Sequence, residues 1–323
     1  MGLTRIYYTC DVHGSDRCFR KFINIAKHNI YKANVLMLSG DLTGKAIVPI
    51  VEGDTPGTYT AYSRQVLGDE RVVKTPDELE LLKDNLRTVG VYPLVFTIKE
   101  YEDLRADPQR LKKLFLEEML KRLSSWIELA EKELPSKAVK CFLMPGNDDP
   151  LESSELISKS NLVVNPEGEC ILLDDHHEMI SLGYSNPTPW KTPRELGEDQ
   201  LMERIDKMVA EVNNMKNCIF NFHCPPYDSR LDVAPVLDEN LRPVATAGSL
   251  ITAPVGSKAI REAIEKYQPM LGLHGHIHES VGEINIGRTV CVNPGSEYQV
   301  GLLRGYLVNI DEKGVRSLLR VEG

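Results

Sequence analysis

Short, mostly apolar runs alternate with segments of helical period along this chain. Ile6-Tyr7-Tyr8-Thr9-Cys10, Val35-Leu36-Met37-Leu38, Ala138 to Met144, Cys218 to Phe222 and Pro269 to Leu273 lack the in–out alternation of a half-exposed strand. They predict strands covered on both faces. Between them, Phe19 to His28, Gln109 to Glu133, Gln200 to Met215 and Lys258 to Tyr267 place apolar residues at helical spacing. In the second of these, Leu111, Phe115, Met119, Leu123 and Trp126 form a stripe that reads as core packing. Strands alternating with helices predict an α/β sheet architecture. Thr289 to Val292, Leu303 to Ile310 and Gly314 to Leu319 predict three closing strands.

Residues 45–105 interrupt the alternation. Ala46 to Val51, Tyr59 to Val66 and Val91 to Ile98 read as strands. Thr75-Pro76-Asp77-Glu78 predicts a helix start, with threonine as cap, proline in the first turn and Glu78 closing a capping box, and Gly90 predicts its stop. The segment reads as a β/α cap inserted into a single domain spanning residues 1–323. Thr192-Pro193-Arg194-Glu195 repeats the start signal. Glu169 to Leu173 and Glu178 to Leu182 predict a hairpin whose tip, Asp174-Asp175-His176-His177, is expected to be exposed.

Composition narrows the function classes. With 42% hydrophobic and 26% charged residues, the chain is an ordinary globular one. Its net charge of −9 argues against a broad nucleic-acid surface, although a local cation cluster can still attract one phosphate. The seven cysteines are odd in number and none is spaced C-x-x-C, which predicts reduced thiols and a cytosolic protein. Cys224, beside His223, reads as an inert thiol. No apolar run approaches the roughly 20 residues of a membrane helix, and no signal peptide is read, so no membrane partner is expected.

Against this background, five segments end apolar runs in metal-ligand residue types: Asp11-Val12-His13, Gly40-Asp41, Gly146-Asn147-Asp148, His223 and His276-Ile277-His278. Four of the chain's eight histidines fall in this set. In open α/β sheets, ligands gather outside the carboxyl ends of the strands, so all five converge on one edge. Mixed imidazole and carboxylate donors suit Mn, Fe, Zn or Co better than calcium or an all-thiolate zinc site. Asp41 can bridge two ions, and Asn147 adds an oxygen donor without charge. Two such ions about 3.5–4 Å apart can activate water and neutralise a phosphoryl group.

The order D-x-H, G-D, G-N-x-D, H, G-H-x-H resembles the calcineurin-like metallophosphoesterase superfamily, and the motifs run from Asp11 to His278. The resemblance implies a four-layer αββα sandwich, which together with the inserted cap gives the expected α/β fold. It also implies a hydrolase acting on phosphomono- or phosphodiesters through two divalent ions (manganese, iron, zinc, nickel or cobalt). Asp11, His13, Asp41 and His278 would hold one ion, and Asp41, Asn147, His223 and His276 the other. A small phosphoester is the implied substrate; the sequence specifies no oligomeric state.

One position departs from the pattern. Where the family has G-N-H-E or G-N-H-D, this chain has Gly146-Asn147-Asp148-Asp149. Asp149 fits the acidic position, but Asp148 replaces a histidine to which the family assigns leaving-group protonation or transition-state stabilisation. Asp148 is the candidate catalytic residue, yet a carboxyl with an ordinary pKa near 3.9 is a poor proton donor at neutral pH. The sequence therefore predicts a preference for good leaving groups. Two alternatives stay open: a nuclease of the same fold, and a non-catalytic scaffold with a retained metal site. His274 reads as the end of a buried strand, Asn293-Pro294-Gly295-Ser296 as a structural turn, and Tyr227 and Arg230 equally as substrate contacts or as surface residues.

Overall fold

The computed structural model describes residues 2–135 and 138–323. Two six-stranded sheets carry the architecture. The first runs, edge to edge, Gly314–Glu322, Arg304–Asp311, Thr4–Thr9, Val35–Ser39, Lys140–Met144 and Val163–Val164. The second runs Gly282–Ile286, Thr289–Asn293, Leu271–Leu273, Ile219–Phe222, Glu178–Leu182 and Cys170–Leu172. The central strands of both are parallel. This is the arrangement expected of continuous apolar runs joined by helices.

Three cores explain why both faces of these strands are apolar. Alternate residues Tyr7, Leu36, Leu38, Cys141 and Leu143 pack against the helices Asp16–Lys27 and Pro108–Glu133, through Phe19, Phe22, Leu123 and Trp126. Their neighbours Ile6, Tyr8, Val35, Met37 and Phe142 face the second sheet through Met179, Ile219, Leu271, Leu273 and Val292. The far face of that sheet, Ile180, Leu182, Phe220 and Phe222, packs on the helices Glu198–Val209 and Lys258–Tyr267. The Phe19 and Trp126 rings stack with centroids 4.3 Å apart, and Met119, Leu123 and Trp126 of the expected stripe are buried, whereas Phe115 is half-buried and Leu111, near the start of the helix, is exposed. Among the described residues, no helix is long and apolar enough to cross a membrane.

Residues 47–96 build a separate four-stranded sheet, ordered Arg71–Val73, Tyr59–Ala61, Ile47–Glu52 and Tyr92–Phe96. It has its own core of Val48, Ile50, Val73, Leu79, Leu82, Leu86 and Val91. The crossover helix Pro76–Thr88 starts at Thr75, whose hydroxyl accepts from Glu78 N–H at 3.2 Å. Glu78 closes the cap one residue earlier than expected, on Lys74 N–H at 2.7 Å. Gly90 lies beyond the helix at φ +81°, and a Cβ there would stand 2.0 Å from the His13 carbonyl oxygen. The small sheet thus presses directly on the turn after the first strand.

Several expectations change. Tyr59 to Val66 is a strand only over Tyr59–Ala61, because Ser63 caps the short helix Arg64–Leu67. The strand expected over Val91 to Ile98 ends at Phe96, where Thr97 and Glu100 form a reciprocal capping box that starts the helix Ile98–Ala106. The helix expected to reach Met215 stops at Val209. Thr192-Pro193-Arg194-Glu195 starts no helix. Ser185 N–H donates to the Arg194 carbonyl and Leu196 N–H to the Ser185 carbonyl, which holds this stretch extended. The hairpin tip is not wholly exposed either. His177 is buried, and its Nδ1 lies 2.7 Å from Asp174. Asp174 also accepts from the Thr4 hydroxyl and the N–H groups of His176 and His177, tying the second sheet to the first.

Candidate metal centre

All seven expected ligands sit on turns that leave parallel strands of the two sheets at their carboxyl ends. Asp11 and His13 follow Thr4–Thr9, Asp41 follows Val35–Ser39, and Asn147 follows Lys140–Met144. His223 follows Ile219–Phe222, while His276 and His278 follow Leu271–Leu273. Backbone bonds join these turns: Asp11 N–H to the Gly40 carbonyl, His13 N–H to the Asp41 carbonyl, and Gly275 N–H to the His223 carbonyl, at 2.8–3.0 Å. The backbone is held in unusual conformations here. Asp11, His13, Asp41 and His276 have φ of 54°, 40°, 52° and 67°. Left-handed non-glycine residues are uncommon and concentrate where surrounding structure over-determines them. Gly40, at φ +101°, admits no side chain, since a Cβ would stand 1.8 Å from His223 Nδ1.

The side chains converge in two groups, Asp11 with His13 and His278, and Asp41 with His223 and His276; a third group joins His13 and Asp41 to Asp148. Asp41 lies between the first two. Its Oδ1 is 3.5 Å from His223 Nε2 and its Oδ2 is 3.7 Å from His13 Nε2. Asp11 Oδ1 lies 3.5 Å from His278 Nε2 and 3.8 Å from His223 Nε2. Asn147 Oδ1 joins at 3.2 Å from His223 Nε2.

Electrostatics sort these donors. Burial would raise the pKa of Asp11 and Asp41, but His223 together with His278 at Asp11, and with His13 and Lys45 at Asp41, outweighs it, and both carboxyls lie below the ordinary range. Burial lowers His13, and burial with the nearby His223 lowers His276 to about 4, so both imidazoles are neutral. His223 is the exception: burial opposes its charge, yet Asp41 and Asp11 hold it up to about 9. It carries the positive charge that the two carboxylates demand.

This donor set suits divalent transition metals, which need ionised carboxylates and neutral imidazoles; a cation between Asp41 and Asp11 would replace the His223 proton, whose release accompanies metal binding. The unpaired atoms point the same way. Asp11 Oδ1 and His13 Nδ1 are buried without a hydrogen-bond partner. An unsatisfied buried polar group costs about 1–3 kcal/mol, so such orphans call for a bound ligand or a functional explanation. His13 Nε2 and His278 Nε2 stand 3.0 Å apart, close enough to face one shared ion.

Three supporting residues were not visible in the motif. Lys45 Nζ pairs with Asp148 Oδ2 at 2.8 Å. Thr192 Oγ donates to Glu195 at 2.7 Å and must therefore accept from Asn147 Nδ2 at 3.0 Å. That direction turns the Asn147 oxygen toward the cluster. Arg194 fastens the same loop: its N–H donates to the Asn147 carbonyl, and its buried guanidinium pairs with Glu167 and stacks on Tyr184 at 4.4 Å. Glu195, at a helix-like signal without a helix, was the available hint.

The Asp148 carboxyl differs from its expectation. Burial, and then the neighbouring Asp41, raise its pKa to about 6 against the opposing charge of Lys45. Asp149 is wholly buried and accepts from Leu42 N–H, Thr43 N–H, Thr43 Oγ and Gly146 N–H at 2.7–2.9 Å. It fastens the turn that carries Asp41 to the turn that carries Asn147. His274 Nδ1 lies 2.9 Å from the Phe222 carbonyl and 3.2 Å from that of Cys224, bracketing His223 from behind. Asn293 Nδ2 reaches the carbonyls of Leu231, Gly275 and Ile277, and Ser296 Oγ donates to the Asp11 carbonyl.

No family model matches the chain. It is 32% identical over 172 residues to the uncharacterized protein MJ1162 of Methanocaldococcus jannaschii, covering 52% of this chain and 70% of that one. Two crystal structures align over 99% of both chains, one at TM-score 0.53 and 15% identity, the other, TT1561 of Thermus thermophilus, at 0.50 and 13%. At these identities the likeness is one of fold alone. The Thermus sulfate thiohydrolase SoxB aligns with 99% of this chain and 56% of its own, at 14% identity and a TM-score of 0.39, too loosely to bear on function.

Proposed function

For a chain that belongs to the same family as the uncharacterized protein MJ1162 of Methanocaldococcus jannaschii, we propose a metal-dependent phosphoesterase of the calcineurin-like superfamily type. The observation that carries this reading is the convergence of two buried carboxylate–imidazole groups on a shared Asp41. Asp11, His13, Asp41 and His278 would hold one divalent ion; Asp41, Asn147, His223 and His276 would hold the other. When bound, the ions supply Lewis acidity, neutralising charge on a phosphoryl oxygen and acidifying a water.

The chain's own residues do the rest. Asp41 orients the Asp148 turn by accepting its N–H at 3.0 Å. The turns after five strands, three of them with left-handed ligand residues, aim donors at one point before any ligand arrives, which is the preorganisation a charged transition state requires. The sheet of residues 47–96 borders the His13 turn and shapes access to it, within one domain. Seven unpaired cysteines suit a reducing compartment such as the cytosol.

The test is to strip the protein of metal, reload it with Mn²⁺, Fe²⁺, Zn²⁺, Co²⁺ or Ni²⁺, and assay chromogenic phosphomono- and diesters beside single- and double-stranded DNA. Metal-dependent ester hydrolysis without DNA cleavage is expected. A protein that binds both ions and hydrolyses none of these is a scaffold; one that cuts DNA is a nuclease.

A further expectation concerns Thr192. Thr192→Val leaves the Asn147 amide without its acceptor, and the amide loses its fixed direction. Outer partners of metal ligands are commonly worth about 10–100-fold in affinity. Calorimetric titration of the stripped protein should show the second equivalent of Mn²⁺ weakened by about tenfold, with Thr192→Ser close to wild type. Equal titrations for Val, Ser and wild type would remove Thr192 from this role.

A further inference from the structure

Lys45 stands where the small sheet begins, and the chain just before it is fastened. Thr43 donates from its N–H and its hydroxyl to Asp149, and Gly44 N–H donates to the Tyr92 hydroxyl at 2.7 Å. Its ammonium meets Asp148 at 2.8 Å, and the Asp148 carboxylate in turn lies 3.8 Å from His13 Nδ1. Among the described residues, no other lysine or arginine forms an ion pair with a member of the metal-competent groups. The side chain is 47% exposed, so the ammonium is reachable from solvent while its stem is anchored.

The position has a chemical consequence. A phosphoryl group has more oxygens than two ions contact, and its remaining oxygens face outward from the cluster. A cation at the mouth supplies a charge-assisted hydrogen bond to one of them.

We propose that Lys45, positioned by Asp148, is an anion-binding residue of this site and takes a phosphoryl oxygen of a phosphoester or of inorganic phosphate. Asp148 is then a positioning residue. It holds the ammonium over the cluster, and the charge that the Gly-Asn-Asp-Asp sequence lacks at its third position is delivered from the loop of residues 42–45. The ligand class rests on the phosphoesterase reading.

The experiment measures inorganic phosphate binding to the Mn²⁺-loaded protein by calorimetry, with metal content determined on the same samples. Lys45→Met keeps the stem and removes the charge; Lys45→Arg keeps the charge. Phosphate affinity should fall at least tenfold in Lys45→Met at unchanged metal content and recover to within about threefold in Lys45→Arg, since charge-assisted bonds are the strong ones. Lys45→Met that binds phosphate as wild type does, or a loss that Lys45→Arg fails to restore, overturns the proposal. If wild type hydrolyses esters and Lys45→Met shows full phosphate affinity, only the role of Lys45 fails. If metal-loaded wild type neither binds phosphate nor hydrolyses an ester, the phosphoesterase reading fails with it.

Discussion

Asp41→Asn is expected to weaken divalent-metal binding by more than about a hundredfold, because removing even an outer partner of a ligand costs up to that much. Asparagine is the informative choice. It tolerates the left-handed backbone found at φ 52° and can still accept the Asp148 N–H, so the turn survives. What disappears is the charge, and with it the ability to face both groups at once, Oδ1 toward His223 and Oδ2 toward His13. Without metal, the variant should also be less stable than wild type, because the Asp41 carboxylate is held ionised beside His223 and its loss leaves that buried imidazolium with Asp11 as its remaining carboxylate. Two measurements check this: metal bound after dialysis, and the rise in Tm on adding Mn²⁺. Stability gained by ligand binding follows RT ln(1 + [L]/Kd), so the Mn²⁺-induced rise should vanish in the variant. A variant that keeps full metal stoichiometry would sink the assignment of Asp41 as the shared ligand. In the esterase assay, activity should fall at least as far as metal affinity.

The second large effect concerns stability. Asp149→Asn is expected to cost about 3–5 kcal/mol, as breaking a buried charged network typically does. Four donors converge on this carboxylate, two on each oxygen: Leu42 and Gly146 N–H on Oδ2, Thr43 N–H and Oγ on Oδ1. An amide presents an NH₂ group to one of those pairs. Two donors are then left facing a donor in the interior, and each unsatisfied buried group costs about 1–3 kcal/mol. Burial, and then Asp41, raise the pKa of Asp149, but all four neighbours donate, so the acceptor-only carboxylate is the form the geometry holds. Urea denaturation of metal-free protein should show the loss as a lower midpoint with an unchanged slope. Because Asp149 links the Asp41 turn to the Asn147 turn, the second equivalent of metal should also weaken. Unfolding within about 1 kcal/mol of wild type would mean that the turns are held by other bonds.

Much of the fold, and the convergence of the candidate ligands at one sheet edge, were legible in the sequence. Val35–Ser39 and Ile219–Phe222 are buried along their whole length, and their continuous apolar runs announced it. The helix Lys258–Tyr267 has the bounds its period predicts. The ligands stood out because strand ends punctuate a sequence sharply: an apolar run stops, a glycine turns, and Asp or His follows. These are local signals, written within a few neighbouring residues.

Signals failed where one local pattern serves two outcomes. Thr192-Pro193-Arg194-Glu195 makes its hydrogen bonds, Thr192 to Glu195, as a helix start would. Whether a helix follows was decided by Ser185, which pairs with the chain on either side of Glu195 and keeps it extended. His177 likewise looked like a turn residue until the Asp311 carbonyl, from the far end of the chain, came within 3.2 Å of its ring.

The sequence by itself determined which residues offer metal-binding atoms and that they leave the sheets at one edge, because strand period and strand ends are short-range properties. Only the tertiary structure decided how those atoms are charged, aimed and surrounded. His223 is held up to about 9 by Asp41 and Asp11, Asn147 is turned by Thr192, and Lys45 is brought onto Asp148. Each of these depends on residues distant in the chain meeting in a buried space of low polarity, where charge interactions and hydrogen-bond direction are strong. No local pattern of hydrophobic and polar positions records such meetings.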